Sequence, residues 1–381
     1  MKADVTGICK PALPAPLSGM HLDEIRQQID LIDTDIIRLL SERAELVHEV
    51  GNFKKRNGLE IYAPEREEAL LQRLLAKNAG RLPEKSIRAI YREIMSAALA
   101  LEEDLKIAYL GPEGTWTHQA ALEKFGASLT YLPQANVRTV LEKIVQREAY
   151  YGVVPYENSV EGAVTHTLDL LADSSLKICA QIPLTIDVCL MSLGELAAIR
   201  RVYGHPGVIA QSRDWLSSHL SGVEILEVSS TSRAASLVHE EGDGTAMVGS
   251  PLTASLNDLR ILARHLQDPD RTRPQITRYV VVGRLACPPT GNDRTPVLIT
   301  DSVNTQSLLE TLRLLSELEI EVAQIESHPQ AGDSRRLAFF AELKGHAEDL
   351  AIQDAVRRLL SQGKQVAILG SYPALVPPAV G

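Results

Sequence analysis

The sequence has few aromatic residues, few cysteines and no long apolar run. Only 4% of its 381 residues are aromatic, and its four cysteines have neither metal-like spacing nor the density of a disulfide framework. No apolar run approaches the roughly 20 residues that a membrane-spanning helix needs. The formal charge of −10 disfavours nucleic acid or an anionic membrane as the main partner. Together these features predict a cytoplasmic protein without a metal site.

Aliphatic residues are abundant, in a chain too long for one ordinary domain. Apolar residues make up 45% of the sequence, and its length predicts two or three domains. Residues 1–19 contain three prolines and no apolar signal segment, so they are interpreted as a flexible leader. Three units are predicted after it: a helical unit over 20–105, an α/β unit over 106–286 and a C-terminal unit over 294–381.

The helical unit is predicted to be an all-α bundle of three helices, the first of them long. From Leu22 to Phe53 the apolar residues recur in alternating steps of three and four, which is a heptad pattern. Arg43 occupies one of these seam positions, where a cation is costly unless it is paired. Lys54 returns to within ~20° of the same face, ~16 Å along the helix. The pair could hold a molecule with two carboxylates; the alternative is that Arg43 only sets the helix register.

Arg26 predicts that the bundle contains more than one copy of the chain. It lies ~25 Å from Arg43 along the same helix and points ~100° away, so it cannot reach the same site from the same straight helix. If it contributes, it comes from a second copy. Three such helices also bury their apolar faces poorly alone, which favours a homodimer or a higher homo-oligomer.

These residues resemble the all-helical chorismate mutases over about residues 20–105. The matching block consists of Arg26, residues 42–46, Gly51, Lys54 and residues 62–67. The resemblance implies rearrangement of chorismate to prephenate without a cofactor. It assigns substrate binding and catalysis to the following residues: Arg26 and Arg43 on the carboxylates, Lys54 on the ether oxygen and a carboxylate, Glu67 on the ring hydroxyl, and Arg66 as a further contact.

Glu102 departs from the family pattern, which commonly has glutamine beside the lysine. An ionised carboxylate there would repel the negative charge that develops on the ether oxygen. We therefore expect Glu102 to be catalytic in its protonated form, so that mutase turnover falls as the pH rises above neutrality. The alternative is a degenerate domain that only dimerises or regulates.

From Lys106 the pattern changes to short strands alternating with helices, in two sets that predict a two-lobed, periplasmic-binding-protein-like α/β domain. Residues 153–169 are its most informative segment. A buried strand ends at Pro155, and polar residues follow. Ligands of open α/β sheets bind where strands give way to helices, so Asn158 and Ser159 indicate a small-anion site. An ordinary turn with a helix cap is the alternative interpretation.

The middle unit resembles prephenate dehydratase over about residues 106–285. The resemblance rests on separate motifs in the family's order, at residues 111–115, 157–159, 205–206, 210–212, 230–232 and 277–279. It implies a decarboxylating dehydration of prephenate to phenylpyruvate, with Thr277 at the leaving hydroxyl and Arg278 on a carboxylate. Further polar contacts with the substrate are expected from Thr115, Asn158, Ser159, Gln211, Ser230 and Thr231.

The C-terminal unit is predicted to have the ferredoxin-like order βαββαβ. It resembles the ACT regulatory domain, which binds phenylalanine between subunits. The resemblance implies an effector site at Ser307, Leu308, Glu326 and Ser327. Ser307 replaces a glycine of the family and puts a side chain where the backbone normally approaches the amino acid.

The sequence as a whole predicts a bifunctional enzyme of phenylalanine biosynthesis. Its small-molecule partners would be chorismate, prephenate and, as effector, phenylalanine, with no cofactor. Two alternatives stay open. One is a monofunctional dehydratase with a non-catalytic, dimerising mutase-like domain, and the other is a non-enzymatic two-lobed sensor of small anions.

Overall fold

The computed structural model describes residues 21–57, 64–160, 162–267, 274–302, 305–330 and 333–374. The predicted leader and residues 62 and 63 of the mutase-like block lie outside these ranges. In the part of the chain that is described, no helix combines the length and apolar character required to cross a bilayer.

Among the residues that the structure describes, three helices form the N-terminal domain, namely α1 (Leu22–Asn57), α2 (Pro64–Lys77) and α3 (Glu84–Glu102). The predicted long first helix is confirmed, since α1 has 36 residues and a length of ~54 Å. Acidic residues in its first turn and basic residues in its last turn suit the helix dipole. Its apolar seam is 46 to 57% exposed at Ile29, Ile32, Ile36 and Leu39.

The middle domain begins directly after α3. In chain order its elements are β1 (Lys106–Leu110), α4 (Trp116–Phe125), β2 (Thr130–Gln134), α5 (Val137–Val145), β3 (Tyr151–Asn158), β4 (Gly162–Ala163), α6 (Thr165–Ala172), β5 (Lys177–Thr185), β6 (Cys189–Ser192), β7 (Arg201–Gly204), α7 (Pro206–His219), β8 (Glu224–Glu227), α8 (Thr231–Glu241), β9 (Thr245–Gly249), α9 (Pro251–Leu256), β10 (Arg260–Ala263) and β11 (Ile276–Gly283). The strands form two sheets, ordered β2-β1-β3-β11-β5 and β10-β6-β9-β7-β8, with β4 paired to β3.

The two sheets confirm the two-lobed α/β prediction. Residues 176–191 are divided between the lobes, because β5 ends the first sheet and β6 enters the second. The chain therefore crosses at 186–188 and returns before β11. In each sheet three neighbouring strands pair in parallel, β2-β1-β3 in the first and β8-β7-β9 in the second, and the remaining strands join antiparallel.

The junction between α3 and α4 depends on a glycine. Gly126 follows α4 with a φ of 73°, and a Cβ there would lie 2.5 Å from the Cβ of Ser96 on α3. The next two backbone N–H groups donate to α3 side chains, at 3.0 Å to Glu93 Oε2 and 3.1 Å to Ser96 Oγ. Glycine is required here because it alone tolerates both this φ and this close approach.

The C-terminal domain contains β12 (Asp293–Ser302), α10 (Thr305–Glu317), β13 (Val322–Gln330), β14 (Asp333–Lys344), α11 (Leu350–Ser361), β15 (Gln365–Ile368) and the short β16 (Tyr372–Pro373). The first six have the predicted order βαββαβ. Their antiparallel sheet is ordered β13-β14-β12-β15, and β16 pairs with β12.

Strand β11 lies between two hydrophobic cores. Successive side chains of a strand point to opposite faces of its sheet. Tyr279 and Val281 enter a core shared with the second lobe, whereas Val280 and Val282 enter a core shared with the C-terminal domain. The C-terminal domain therefore covers one face of the sheet that carries Thr277, and Thr277 belongs to the other face.

Candidate active sites

The three N-terminal helices enclose a cavity of about 330 Å³ in volume. Its lining combines cationic and acidic side chains with apolar ones, and the charged members are Arg43, Lys54, Arg66, Glu67, Arg73 and Glu102. The structure thus brings together five of the residues that the sequence predicted for one site. Arg73 was missed, although its spacing of seven residues from Arg66 places both on one face of α2.

Arg26 does not line this cavity in the single chain. It is exposed on α1, where its NH1 lies 3.4 Å from Asp23 Oδ1. The apolar seam of the same helix is also exposed. Both observations are those expected of a helix whose partner is another copy.

Glu102 is held against α1 by a close backbone approach. A Cβ added at Gly51 would lie 2.9 Å from Glu102 Cγ and 3.3 Å from its Oε2. The Oε2 atom is buried and has no hydrogen-bond partner among the described residues. Burial raises the pKa of this carboxyl above its ordinary value, and the positive charges of Lys54 and Arg66 oppose that rise. Glu102 therefore stays protonated to a higher pH than an ordinary surface glutamate does.

Glu67 connects this cavity to the middle domain. Its Oε2 accepts a hydrogen bond of 3.1 Å from Nζ of Lys124, which is on α4. The side chains of Lys124 and Glu67 are only 23% and 16% exposed, so the pair is shielded from solvent. The sequence contains no local signal for this contact, because the two residues are 57 positions apart.

The second site is at the ends of β3 and β11 in the first lobe. These strands pair with Thr277 opposite Asn158, and the Nδ2 of Asn158 donates to Thr277 Oγ1 at 3.0 Å. Thr277 is 7% exposed. The predicted association of Asn158 with Thr277 is therefore present in the structure. Ser159 closes the strand end, since its Oγ accepts a 3.0 Å hydrogen bond from the backbone N–H of Ile276.

The structure corrects the prediction for Arg278. It follows Thr277 on a strand, so its side chain points to the opposite face, toward the C-terminal domain. There its guanidinium donates to Glu157 and, at 3.2 Å, to both carboxylate oxygens of Glu342. Arg278 is thus engaged by two carboxylates of the chain itself and does not share a face with Thr277. The prediction overlooked strand alternation and the distant Glu342.

The four remaining residues predicted for this site lie on helices or cap them. Thr115 caps α4: its Oγ1 accepts from the backbone N–H of His118 at 3.3 Å and donates to the carbonyl of Leu110. Ser230 caps α8 by accepting from the backbone N–H of Arg233. The other two are in the second lobe: Gln211 is exposed on α7 and Thr231 begins α8.

The two lobes meet at the loop before α4. The carbonyl oxygen of Gly114 accepts hydrogen bonds from Ser250 Oγ, at 2.5 Å, and from Thr253 Oγ1, at 2.9 Å. His118, on the first turn of α4, is stacked on Tyr109 with the ring centroids 4.6 Å apart. Burial lowers the pKa of His118, which favours its neutral form. No sequence motif singled out His118 or Thr253.

The predicted effector residues are on two elements of the C-terminal domain. Ser307, at the start of α10, is buried, and its Oγ accepts from Nζ of Lys364 at 2.5 Å. Leu308 packs against the core of that domain. Glu326 and Ser327 are on β13, and Glu326 Oε2 accepts a 2.9 Å hydrogen bond from the backbone N–H of Ala163 in the middle domain.

No group of three or more His, Cys, Asp or Glu side chains within the described ranges could hold a metal ion. The charged groups of the helical cavity suit a small organic anion, because four of its six ionisable side chains are cationic. The pair at the strand ends offers neutral hydroxyl and amide groups for hydrogen bonding.

Comparisons with known proteins match both the helical domain and the two-lobed domain. Residues 25–103 match the family model described as Chorismate mutase type II, and residues 107–286 match Prephenate dehydratase. The chain is similar to a bifunctional chorismate mutase/prephenate dehydratase of Aquifex aeolicus, at 38% identity over 93% of this chain and 98% of that one. The corresponding protein of Neisseria gonorrhoeae is 37% identical, over 92% and 96%.

The chain is also similar to a solved prephenate dehydratase structure. Prephenate dehydratase of Arthrobacter aurescens in complex with L-Phe is 32% identical, with a TM-score of 0.62, over 72% of this chain and 94% of that one. Two matched domains in one chain, together with relatives that match nearly end to end, determine the assignment. The chain belongs to the bifunctional chorismate mutase/prephenate dehydratase family.

Proposed function

We propose that the chain catalyses two successive reactions of phenylalanine biosynthesis. Chorismate is rearranged to prephenate in the helical cavity, and prephenate is converted to phenylpyruvate, CO₂ and water in the two-lobed domain. One observation carries the proposal: a cavity rich in cations and a separate threonine–asparagine pair at a strand end are present in the same chain.

In the helical cavity the residues act by position and charge. The rearrangement breaks one C–O bond and forms one C–C bond within a single molecule, so it requires neither nucleophile nor cofactor. Arg43 and Arg26 of a second copy hold the substrate carboxylates in the compact conformer from which the reaction proceeds, and Arg66 is a further contact. Lys54 donates to the ether oxygen, where negative charge develops as the C–O bond breaks. Arg26 of a second copy completes the site.

Glu102 contributes as a neutral carboxylic acid. A protonated carboxyl donates a hydrogen bond to the ether oxygen beside Lys54, whereas an ionised one repels it. The buried Oε2 supports this role, because a charged oxygen in that position would have no hydrogen-bond donor among the described residues. Glu67 receives the ring hydroxyl of the substrate, and Lys124 fixes its carboxylate from outside the bundle.

In the two-lobed domain Thr277 assists departure of the ring hydroxyl. The loss of CO₂ supplies the electron pair that forms the aromatic ring, so the site has only to hydrogen-bond or protonate the leaving group. A threonine is a weak acid, and its role is therefore hydrogen bonding. Asn158 positions the Thr277 hydroxyl by donating to its oxygen.

The other predicted residues retain their proposed roles. Polar contacts to prephenate come from both lobes, through Thr115, Ser159, Gln211, Ser230 and Thr231. Arg278 is withdrawn from this set because of its engagement with Glu157 and Glu342.

The C-terminal domain is proposed to be an ACT domain that senses phenylalanine. Its βαββαβ order and the L-Phe bound to the Arthrobacter dehydratase support this role. The effector would contact Ser307 and Leu308 at α10, and Glu326 and Ser327 on β13. Phenylalanine is expected to bind between copies of the chain, in a homodimer or higher homo-oligomer in the cytoplasm.

The proposal is tested by supplying chorismate and prephenate separately to the wild-type protein. We expect both to be consumed, with phenylpyruvate as the final product. Lys54→Ala should reduce chorismate consumption at least about 100-fold and leave prephenate conversion intact. Lys77→Ala, at the exposed end of α2, serves as a matched control without effect.

Each alternative function gives its own result in this experiment. A silent mutase domain would leave chorismate unchanged while prephenate is converted. A non-enzymatic sensor would convert neither substrate.

A further inference from the structure

Four side chains from two domains form a continuous network beneath the dehydratase site. This Arg278 network consists of Arg278 and Glu157 of the middle domain with Gln324 and Glu342 of the C-terminal domain. The Arg278 guanidinium donates to Glu157, to both oxygens of Glu342 at 3.2 Å and to Gln324 Oε1 at 2.9 Å. Gln324 Nε2 in turn donates to Glu157 Oε1 at 2.7 Å.

The network is largely removed from solvent. The side chains of Arg278 and Glu342 are 19% and 5% exposed, and Glu157 is 22% exposed. Tyr372 donates to Glu342 from the side of the C-terminal domain, and the Arg278 guanidinium lies 5.1 Å from the centre of the Tyr156 ring. Buried charge pairs of this kind resist rearrangement, because removing one partner leaves the other charge uncompensated.

The network lies one residue from the candidate catalytic pair. In the ladder between β3 and β11, Arg278 is opposite Glu157 and Thr277 is opposite Asn158. Both strands are therefore held from one face by the C-terminal domain while they present Thr277 and Asn158 on the other. A displacement of Arg278 or Glu157 moves the backbone of both residues that form the 3.0 Å hydrogen bond.

We propose that Gln324 and Glu342 of the C-terminal domain are positioning residues for prephenate dehydration. Within the Arg278 network their hydrogen bonds go to Arg278 and Glu157, and they act by fixing these two residues. Dehydratase activity thus depends on the C-terminal domain even when no effector is bound. The inference rests on the proposed dehydratase role of Thr277.

A second contact extends the network toward the proposed effector site. Gln324 Nε2 donates to Glu326 Oε1 at 2.9 Å, and Glu326 Oε2 accepts from the backbone N–H of Ala163. Gln324 therefore lies between a residue proposed to bind phenylalanine and the carboxylate of Glu157. An effector that draws Glu326 away would change the hydrogen bonds of Gln324, which gives regulation a direct route to the site.

The test compares Glu342→Gln and Gln324→Ala with the wild-type protein. A 1 Å displacement of catalytic groups can cost up to about 100-fold in rate. We expect the dehydratase kcat to fall about 10-fold or more in each variant. The KM for prephenate should stay within about twofold of wild type, because Thr277 acts on the leaving hydroxyl and not on substrate binding. Mutase activity, measured on the same chain, should not change.

The control is Glu321→Gln, which removes an exposed ion pair with Lys344 on the same C-terminal sheet. It should leave both activities unchanged. If Glu342→Gln loses mutase activity as well, it has failed to fold, and Gln324→Ala, which removes no charge, decides. A dehydratase kcat in the folded variants equal to wild type, or a change confined to KM, would overturn the inference. Failure of the wild-type protein to convert prephenate would instead refute the proposed function.

Discussion

Glu102 provides the sharpest prediction for the helical cavity. Its carboxyl is pressed against Gly51, its Oε2 is buried without a hydrogen-bond partner among the described residues, and burial raises its pKa. If the protonated form is the active one, mutase activity is full below this raised pKa and declines as the pH rises through it. The decline should approach about tenfold per pH unit once a single essential proton is lost.

Substitution separates the charge of Glu102 from its shape. Glu102→Gln keeps the size and a hydrogen-bond donor, so it fits beside Gly51 and should remain active with a flat pH profile. Glu102→Ala removes the donor altogether and should cost about 100- to 1000-fold in kcat, as the loss of one preorganised donor does in other enzymes. The difference between the two variants isolates the hydrogen bond.

The bound substrate should itself shift the titration. Lys54 and Arg66 oppose the rise in the pKa of Glu102, and the carboxylates of chorismate neutralise part of their charge. The profile of kcat should therefore turn down at a higher pH than the profile of kcat/KM. The assay is direct measurement of chorismate consumption from about pH 5 to about pH 8. A flat wild-type profile, or an unchanged pH dependence in Glu102→Gln, would refute this reasoning.

Three further predictions concern contacts between elements. Lys124→Met removes the cation beside Glu67 and should raise the mutase KM by up to about tenfold, ~1.4 kcal/mol. The control Lys143→Met, at an ion pair of the same domain, should leave the KM unchanged. An unchanged KM in Lys124→Met would argue against the contact. Gly51→Ala should push Glu102 out of place and lower the mutase kcat without affecting dehydration, and a fully active variant would contradict this packing. Saturating phenylalanine should reduce dehydratase turnover and raise the unfolding temperature, and the absence of both effects would exclude an effector site.

Much of the fold could be predicted from local patterns. The heptad repeat of α1 predicts a long helix because its apolar residues must all face a packing partner. This holds without knowing which element or chain that partner is. Arg43 and Lys54 could be assigned to one site because helix geometry relates positions eleven apart without any knowledge of tertiary structure. Both residues line the helical cavity.

Other parts of the sites depend on contacts between distant segments. The misassignment of Arg278 arose because its partner Glu342 is 64 residues away and carries no motif. The alternation of side chains along β11 places Arg278 and Thr277 on opposite faces. This alternation alone could have predicted that Arg278 lies outside the site of Thr277. Lys124 reaches Glu67 only because Gly126 lets α4 dock closely on α3. Such contacts follow from the assembled domains and not from local propensity.

Whether one chain carries two separate sites is decided by a time course with a single variant. Thr277→Ala is supplied with chorismate, and the products are identified over time. We expect prephenate to form at the wild-type rate and to accumulate, while phenylpyruvate formation falls at least about 100-fold. Continued formation of phenylpyruvate, or loss of prephenate formation in a folded variant, would contradict this expectation.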